Sequence, residues 1–132
     1  MIPGGDMKRK RLVFISGPIT PTGEGNHAVE YLGHVRRGTE VAVRLLKAGF
    51  AVYCPMVDFP YFLCHDGEPL MADEIYEQGM EILRRCDILF ALPNVTKSRN
   101  VEREKEVAYD AGLVVWAGTL EELEDYGRER ND

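Results

Sequence analysis

The segment Ser98–Gly112, "SRNVEREKEVAYDAG", carries a carboxylate where a helix would normally carry an apolar side chain. At about 100° per residue, Glu104 lies at the centre of an apolar arc. The apolar members of that arc are Val101, Val107, Ala108 and Ala111. An ionised side chain directed into a core costs several kcal/mol unless it is paired or reaches a cavity. Glu104 therefore has one of two roles. It is either a catalytic group, acting as nucleophile or base, or a structural acid paired with Arg99 or Arg103, and the pattern favours neither.

Other polar residues near this helix and in the loops offer further chemistry. A hydroxyl at Ser98 most often caps a helix, and with free N-terminal amides it also suits a phosphate. The loop after the second predicted strand contains or borders acids that include Asp58, Asp66 and Asp73, most simply solvated, although a second catalytic carboxylate could come from them. The histidines lack metal-ligand spacing and no glycine-rich nucleotide motif is present, so no metal site and no cofactor are predicted.

Alternating strands and helices must position these residues. The predicted strands are Arg11–Ser16, Phe50–Pro55, Asp87–Pro93 and Leu113–Ala117. Helices are predicted between them: one that Gly49 ends, one over Leu70–Arg85, one over the Glu104 segment, and a last one that begins at a capping box of Thr119 and Glu122. This order implies a parallel sheet with helices on both faces, joined by right-handed crossovers.

Two helix faces carry specific expectations. The inner face of the first helix is predicted to contain Leu32, Val35, Thr39, Ala42, Leu45 and Leu46. In the second helix Gly79 stands in the middle of the apolar stripe, where the close approach of a backbone or a ligand would explain it.

The predicted topology also locates a binding crevice. In open parallel sheets, ligands bind at the carboxyl ends of the strands, near the point where strand order reverses. Glu104 lies in the first turns of the helix after the third strand, and Gly17 directly follows the first strand. Both residues are therefore expected to border the same crevice.

Length and composition exclude several classes of protein. The chain has 132 residues, which suits one domain over 11–132 after a flexible N-terminal tail at 1–10. A net charge of −6 argues against a general nucleic-acid or anionic-membrane binder. Three cysteines without a CxxC pair indicate reduced thiols and a cytoplasmic protein, and no apolar run is long enough to span a bilayer.

Several motifs together resemble the nucleoside 2-deoxyribosyltransferase-like superfamily, and in particular its small bacterial and phage branch. These motifs are "FISGPIT" from Phe14, Asn26, "LLKAGFAVYCP" from Leu45, "LRRCDILFALP" from Leu83, and the Ser98–Gly112 segment. The resemblance implies a flavodoxin-like (Rossmann-like) α/β three-layer sandwich with a parallel sheet of four or five strands.

The same resemblance implies a reaction and a site. Glu104 would be the nucleophile that cleaves the N-glycosidic bond of a nucleoside or its 5'-monophosphate, without a cofactor. Ser98 is similar to the nucleoside 5'-monophosphate N-glycosidases, whereas deoxyribosyltransferases proper usually carry Asp there. The implied substrate contacts are Ser16, Gly17, Pro18, Asn26, Asp58, Ser98 and Asn100. A homodimer or larger homo-oligomer is also implied.

Departures from the family pattern keep two other functions open. Gly79 stands where the family commonly has an Asp that positions the sugar or assists proton transfer, and Asn100 and Val95 replace a frequent Gly and an aromatic residue. The chain would then be a catalytically impaired nucleotide-binding or sensing module. The third alternative is an interaction or structural domain in which Glu104 is salt-bridged.

Overall fold

Four short strands form one sheet in the computed structural model, which describes residues 9–17, 27–58, 61, 67–68, 70–93 and 99–131. The strands are Leu12–Ser16 (β1), Ala51–Tyr53 (β2), Ile88–Ala91 (β3) and Val114–Val115 (β4). The helices are His27–Lys47 (α1), Ala72–Leu83 (α2), Arg99–Asp110 (α3) and Leu120–Asn131 (α4). A short 3₁₀ helix, Pro55–Val57, follows β2.

The sheet is parallel throughout, with the strand order β2-β1-β3-β4. Val13 of β1 pairs with Val52 on one side and Ile88 on the other. The chain therefore starts near the centre, goes to one edge, and returns past β1 to build the other edge. This confirms the predicted flavodoxin-like α/β sandwich, and it places the reversal of strand order between β1 and β3.

The side chains on the two faces of β1 belong to two separate hydrophobic cores. Val13 and Ile15 are fully buried in the layer that contains α1 and α4, whereas Phe14 is fully buried in the layer that contains α2 and α3. Side chains alternate along a strand, and a central parallel strand is covered on both sides. By the same alternation, Ser16 belongs to the face of Phe14, towards α2 and α3.

The predicted capping box at the start of α4 is confirmed. The Thr119 N–H donates to Glu122 Oε1 at 2.9 Å, and the Glu122 N–H donates to Thr119 Oγ1 at 3.1 Å. Glu124, one turn further, is buried and accepts a hydrogen bond from Arg44 Nε of α1 at 3.1 Å. This acid thus satisfies the ordinary requirement that a buried charge has a partner.

The inner face of α1 differs from the prediction at two leucines. Leu32 and Leu46 are 62% and 53% exposed, so their assignment to the core face was wrong. Gly38 lies where α1 approaches the 3₁₀ helix, because a Cβ there would lie 2.3 Å from Met56 Sδ. A larger residue would require the Met56 side chain to move. Leu45, two turns further along the same side of α1, is fully buried in the core.

The end of α3 differs in a similar way. Ala111 is exposed and lies after the last helical residue, so it does not belong to the apolar arc around Glu104. Gly112 has a φ of 80°, a left-handed conformation that closes helices and favours glycine. The chain then turns into β4, which is shorter than predicted.

None of the helices in the described parts of the chain has both the length and the apolar character needed to cross a membrane.

Candidate active site

A buried carboxyl group and a buried hydroxyl meet at the point where strand order reverses. Ser16, the last residue of β1, is fully buried, and Glu104 of α3 is 5% exposed. The Ser16 hydroxyl donates to the Glu104 carboxyl group, with Oγ at 3.4 Å from both Oε1 and Oε2. These are long hydrogen bonds. The structure therefore brings together two of the predicted site residues, 88 positions apart in sequence.

Glu104 has no ion-pair partner in the part of the chain that the structure describes. Arg103, one of the two arginines predicted as a partner, lies instead over the ring of Tyr76, with Cζ 5.2 Å from the ring centroid. The side chain of Arg99 is outside the described residues. Within these limits Glu104 contrasts with Glu124, the other buried acid, which is paired with Arg44.

Burial raises the pKa of Glu104 to about 8, because removal from water penalises the charged form. The hydrogen bond from Ser16 acts in the opposite direction and lowers that pKa. At neutral pH most molecules of the free protein therefore hold Glu104 as the neutral acid. A buried carboxyl group with a raised pKa and no ion-pair partner is a candidate for a functional site, since buried structural acids are usually paired.

Asp58 lies just beyond β2, the neighbour of β1, and is half-buried. The Tyr53 hydroxyl donates to Asp58, and the side chain of Gln78 lies near enough to act on the Tyr53 pKa. The Tyr53 ring packs on Phe14 at a centroid distance of 5.5 Å. Burial and the negative charge of Asp58 raise the pKa of Tyr53, so the phenol stays protonated. These contacts hold Asp58 at the carboxyl edge of the sheet.

The pairing between β1 and β3 continues one residue past the end of β3, next to Gly17. The Leu92 N–H donates to the Ser16 carbonyl at 2.8 Å. A Cβ at Gly17 would lie 2.6 Å from Leu92 Cδ1 and 2.8 Å from Met56 Cε. The absence of a side chain at Gly17 thus lets the backbone that carries Ser16 pack tightly at this edge.

The other predicted substrate contacts are either exposed or outside the described residues. Asn100 is exposed in the first turn of α3, one helical turn before Glu104 and on the same side. Pro18, Asn26 and Ser98 lie outside the described residues. The predicted phosphate contact at Ser98 therefore stays a prediction.

Gly79 corrects an expectation from the sequence. Among the described residues no backbone comes close to Gly79, because a Cβ there would meet no atom within 4 Å other than its chain neighbours and the backbone of its own helix. The other predicted explanation, the close approach of a ligand, stays a prediction. The position is nevertheless buried. Within the described part of the chain, open space therefore adjoins the middle of α2.

Tyr76 is a residue that the sequence reasoning missed. Its hydroxyl is buried and has no hydrogen-bond partner in the described parts of the chain. Burial raises its pKa, Arg103 lowers it, and the proximity of Glu104 raises it. A tyrosine on an otherwise apolar helix face was the available signal, because a buried phenol normally finds a partner.

Comparison of the chain with models of known protein families and with curated proteins gives no match. The functional argument therefore rests on the residues of the site.

Proposed function

We propose that the protein cleaves or transfers at the N-glycosidic bond of a nucleoside, a deoxynucleoside or the corresponding 5'-monophosphate, through a covalent glycosyl ester on Glu104. One observation carries the proposal: the carboxyl group of Glu104 is buried at the reversal of strand order, where ligands bind in such sheets, with a hydroxyl as its neighbour. The similarity of the Ser98–Gly112 segment to the deoxyribosyltransferase-like superfamily supports the choice of reaction.

The reaction proceeds in two displacements at the anomeric carbon. The ionised carboxylate of Glu104 attacks that carbon, a bond from carbon to carboxylate oxygen forms, and the bond to the base nitrogen breaks. The base leaves with the bonding electron pair and takes up a proton from solvent. Water then attacks the same carbon, the bond from carbon to carboxylate oxygen breaks, and the water gives up a proton to solvent, which releases the sugar and restores the carboxylate. A second base can attack in place of water and likewise lose a proton, so that the sugar is transferred.

Ionisation of Glu104 is therefore part of the proposed mechanism. The neutral form is favoured in the free protein at neutral pH, because the pKa is raised to about 8. The Ser16 hydroxyl stabilises the carboxylate form by donating to it. A desolvated carboxylate with one weak donor is a stronger nucleophile than a solvated one.

Release of free base is the direct test. The protein is incubated with a panel of ribo- and deoxyribonucleoside 5'-monophosphates and the matching nucleosides, with and without an acceptor base, and products are separated by chromatography. We expect base release that Glu104→Gln abolishes. Glu102→Gln and Glu106→Gln are matched controls, because both acids are exposed on the same helix.

The two arms of that panel have separate meanings. Faster release from monophosphates than from nucleosides would support the phosphate contact predicted at Ser98. Unchanged release by Glu104→Gln would show that another group forms the ester or that none does.

A nucleotide-binding module without turnover is the second candidate, and two observations favour it. No described residue fills the space beside Gly79, where the resembling family carries Asp, and Glu104 is mostly neutral at pH 7. This candidate predicts that a nucleotide raises the melting temperature, since a ligand that binds only the native state stabilises it. It also predicts that no base is released at any pH. The glycosidase proposal instead requires both the rise in melting temperature and the release of base.

A further inference from the structure

Tyr76 of α2 has a hydroxyl group that is buried without a hydrogen-bond partner. Its oxygen is shielded from solvent, and it makes no hydrogen bond within the parts of the chain that the structure describes. A buried O–H group without an acceptor costs free energy, because it has lost its hydrogen bonds to water. Such a group in a folded protein needs an explanation, and an acceptor that becomes strong only when it ionises would supply one.

The first turns of α3 bring Glu104 close to this hydroxyl. Arg103, the residue before Glu104, lies over the Tyr76 ring, with Cζ 5.2 Å from the ring centroid. The ring packs against the hydrophobic core between the sheet and the helices α2 and α3. The charge of Glu104 also raises the pKa of Tyr76, so the two groups interact electrostatically. Tyr76 and Glu104 are thus neighbours in one layer of the sandwich.

The other polar side chains of this layer already have partners among the described residues. The Tyr53 hydroxyl donates to Asp58, and the Cys86 thiol donates to a backbone carbonyl one turn earlier. The side chains that β3 and β4 contribute are apolar, and the acids of α2 are exposed. Tyr76 is therefore the group from which Glu104 can obtain a further hydrogen bond.

The carboxyl group of Glu104 has acceptor sites to spare. A carboxylate offers about four acceptor positions, whereas among the described residues Glu104 accepts only from Ser16, at 3.4 Å to each oxygen. Those long bonds leave an ionised carboxylate poorly compensated in a buried position. A phenol is a suitable second donor, because hydrogen bonds to a charged acceptor are about twice as strong as those between neutral groups.

Open space beside Gly79 gives the phenol room to adjust. Gly79 lies one turn after Tyr76, so the two positions share a side of α2. A Cβ at Gly79 would meet no described atom within 4 Å other than its chain neighbours and the backbone of its own helix. Among the described residues, none therefore packs closely against this side of α2, and the Tyr76 hydroxyl can reorient when a charge appears on Glu104.

We propose that Tyr76 is a positioning residue for Glu104: its hydroxyl donates to the carboxylate when Glu104 ionises and, together with Ser16, holds that carboxylate as the nucleophile. The role in the reaction rests on the proposed function, whereas the hydrogen bond itself does not. The phenol keeps its proton throughout, because burial raises its pKa above the ordinary value.

The first test measures the ionisation of Glu104 without any substrate. Carbon-13 NMR of glutamate-labelled protein follows the side-chain carboxyl groups through a pH titration, and Glu104→Gln identifies the resonance of Glu104 by removing it. We expect Tyr76→Phe, which keeps the ring beside Arg103, to raise the pH midpoint of this resonance by about one unit, a tenfold change in the ionisation constant. An unchanged midpoint would overturn the proposal.

The matched control for this titration is Tyr109→Phe. Tyr109 is 67% exposed on α3, the helix that carries Glu104, so loss of its hydroxyl should leave the midpoint unchanged. A shift as large as that of Tyr76→Phe would contradict a specific hydrogen bond from Tyr76.

The second test compares the pH–rate profile of base release in the parent and in Tyr76→Phe. We expect its midpoint to move upward by the same amount as the NMR midpoint. A shifted NMR midpoint in a protein that releases no base from any nucleotide would support the hydrogen bond and refute the proposed reaction. Base release with unchanged midpoints in both measurements would refute the role of Tyr76 and leave the proposed reaction intact.

Discussion

Replacement of Glu104 by glutamine should stabilise the protein, and the gain should depend on pH. Glutamine keeps the shape of the side chain and still accepts a hydrogen bond from Ser16, but it does not ionise. The pKa of Glu104 is raised from 4.5 to about 8 by burial. Folding therefore favours the neutral carboxyl group, and the ionised group opposes folding.

The sign and size of the effect follow from this difference. The contribution of the neutral Glu104 to stability is complete below pH 4.5 and is lost as the pH rises through about 8. Each pK unit corresponds to about 1.4 kcal/mol, so the full difference is roughly 5 kcal/mol. Relative to the parent, Glu104→Gln should be neutral near pH 4 and several kcal/mol more stable near pH 9.

Urea unfolding at a series of pH values measures this difference, with Glu102→Gln and Glu106→Gln as controls. These two acids are exposed on α3 and should show no comparable trend. A constant difference between Glu104→Gln and the parent from pH 4 to pH 9 would refute the reasoning. It would mean that Glu104 ionises in the folded protein as readily as in water, as a paired structural acid does.

Three further predictions concern the site and its scaffold. The rate of base release should rise with pH and reach half its maximum near the Glu104 pKa of about 8. Ser16→Ala should move that midpoint to higher pH, because the Ser16 hydroxyl lowers this pKa. A pH–rate profile of each protein checks both expectations. Gly79→Ala should raise the free energy of unfolding by about 0.5–1 kcal/mol, because alanine favours a helix over glycine. Gly127→Ala should lower it by about 1–3 kcal/mol, because a Cβ at Gly127 would lie 2.5 Å from Phe50 Cε2. Equal effects of the two variants in denaturant titrations would contradict this. Thr119→Ala should cost about 1 kcal/mol by removing the cap of α4, and an unchanged melting temperature would contradict it.

Local sequence patterns were sufficient for the order of the elements and for one cap. Short β-branched and aromatic runs such as Leu12–Ser16 encode buried strands, and the Thr119–Glu122 pair encodes the start of α4 through contacts three residues apart. Both signals depend on neighbouring residues alone, so tertiary structure had little opportunity to override them.

The rotation of α1 could not be predicted from its own sequence. The helix has apolar residues on two sides, and periodicity alone does not say which side meets the sheet. Contacts from outside the helix decide it: Met56 packs against α1 at Gly38, whereas Leu32 faces outward. Leu32 and Leu46 were thus assigned to the core face, although the structure exposes both.

The candidate site was predictable where it depends on the pattern within one helix, and not where it depends on the packing of several elements. The angular position of Glu104 among apolar neighbours predicts its burial, whatever the exact helix ends. Its partner Ser16 and its neighbour Tyr76 depend on how β1, α2 and α3 pack. The lack of an arginine partner among the described side chains could not be read from a sequence in which Arg103 is adjacent.

Detection of a sugar on Glu104 tests the central claim most directly. The protein is mixed with a deoxynucleoside 5'-monophosphate, the reaction is stopped with acid, and the digested chain is analysed by mass spectrometry. The account predicts that the peptide containing Glu104 gains the mass of the deoxyribose phosphate group, and that Glu104→Gln gains nothing. Release of free base by the parent and by Glu104→Gln alike, with no modified peptide in either, would contradict it.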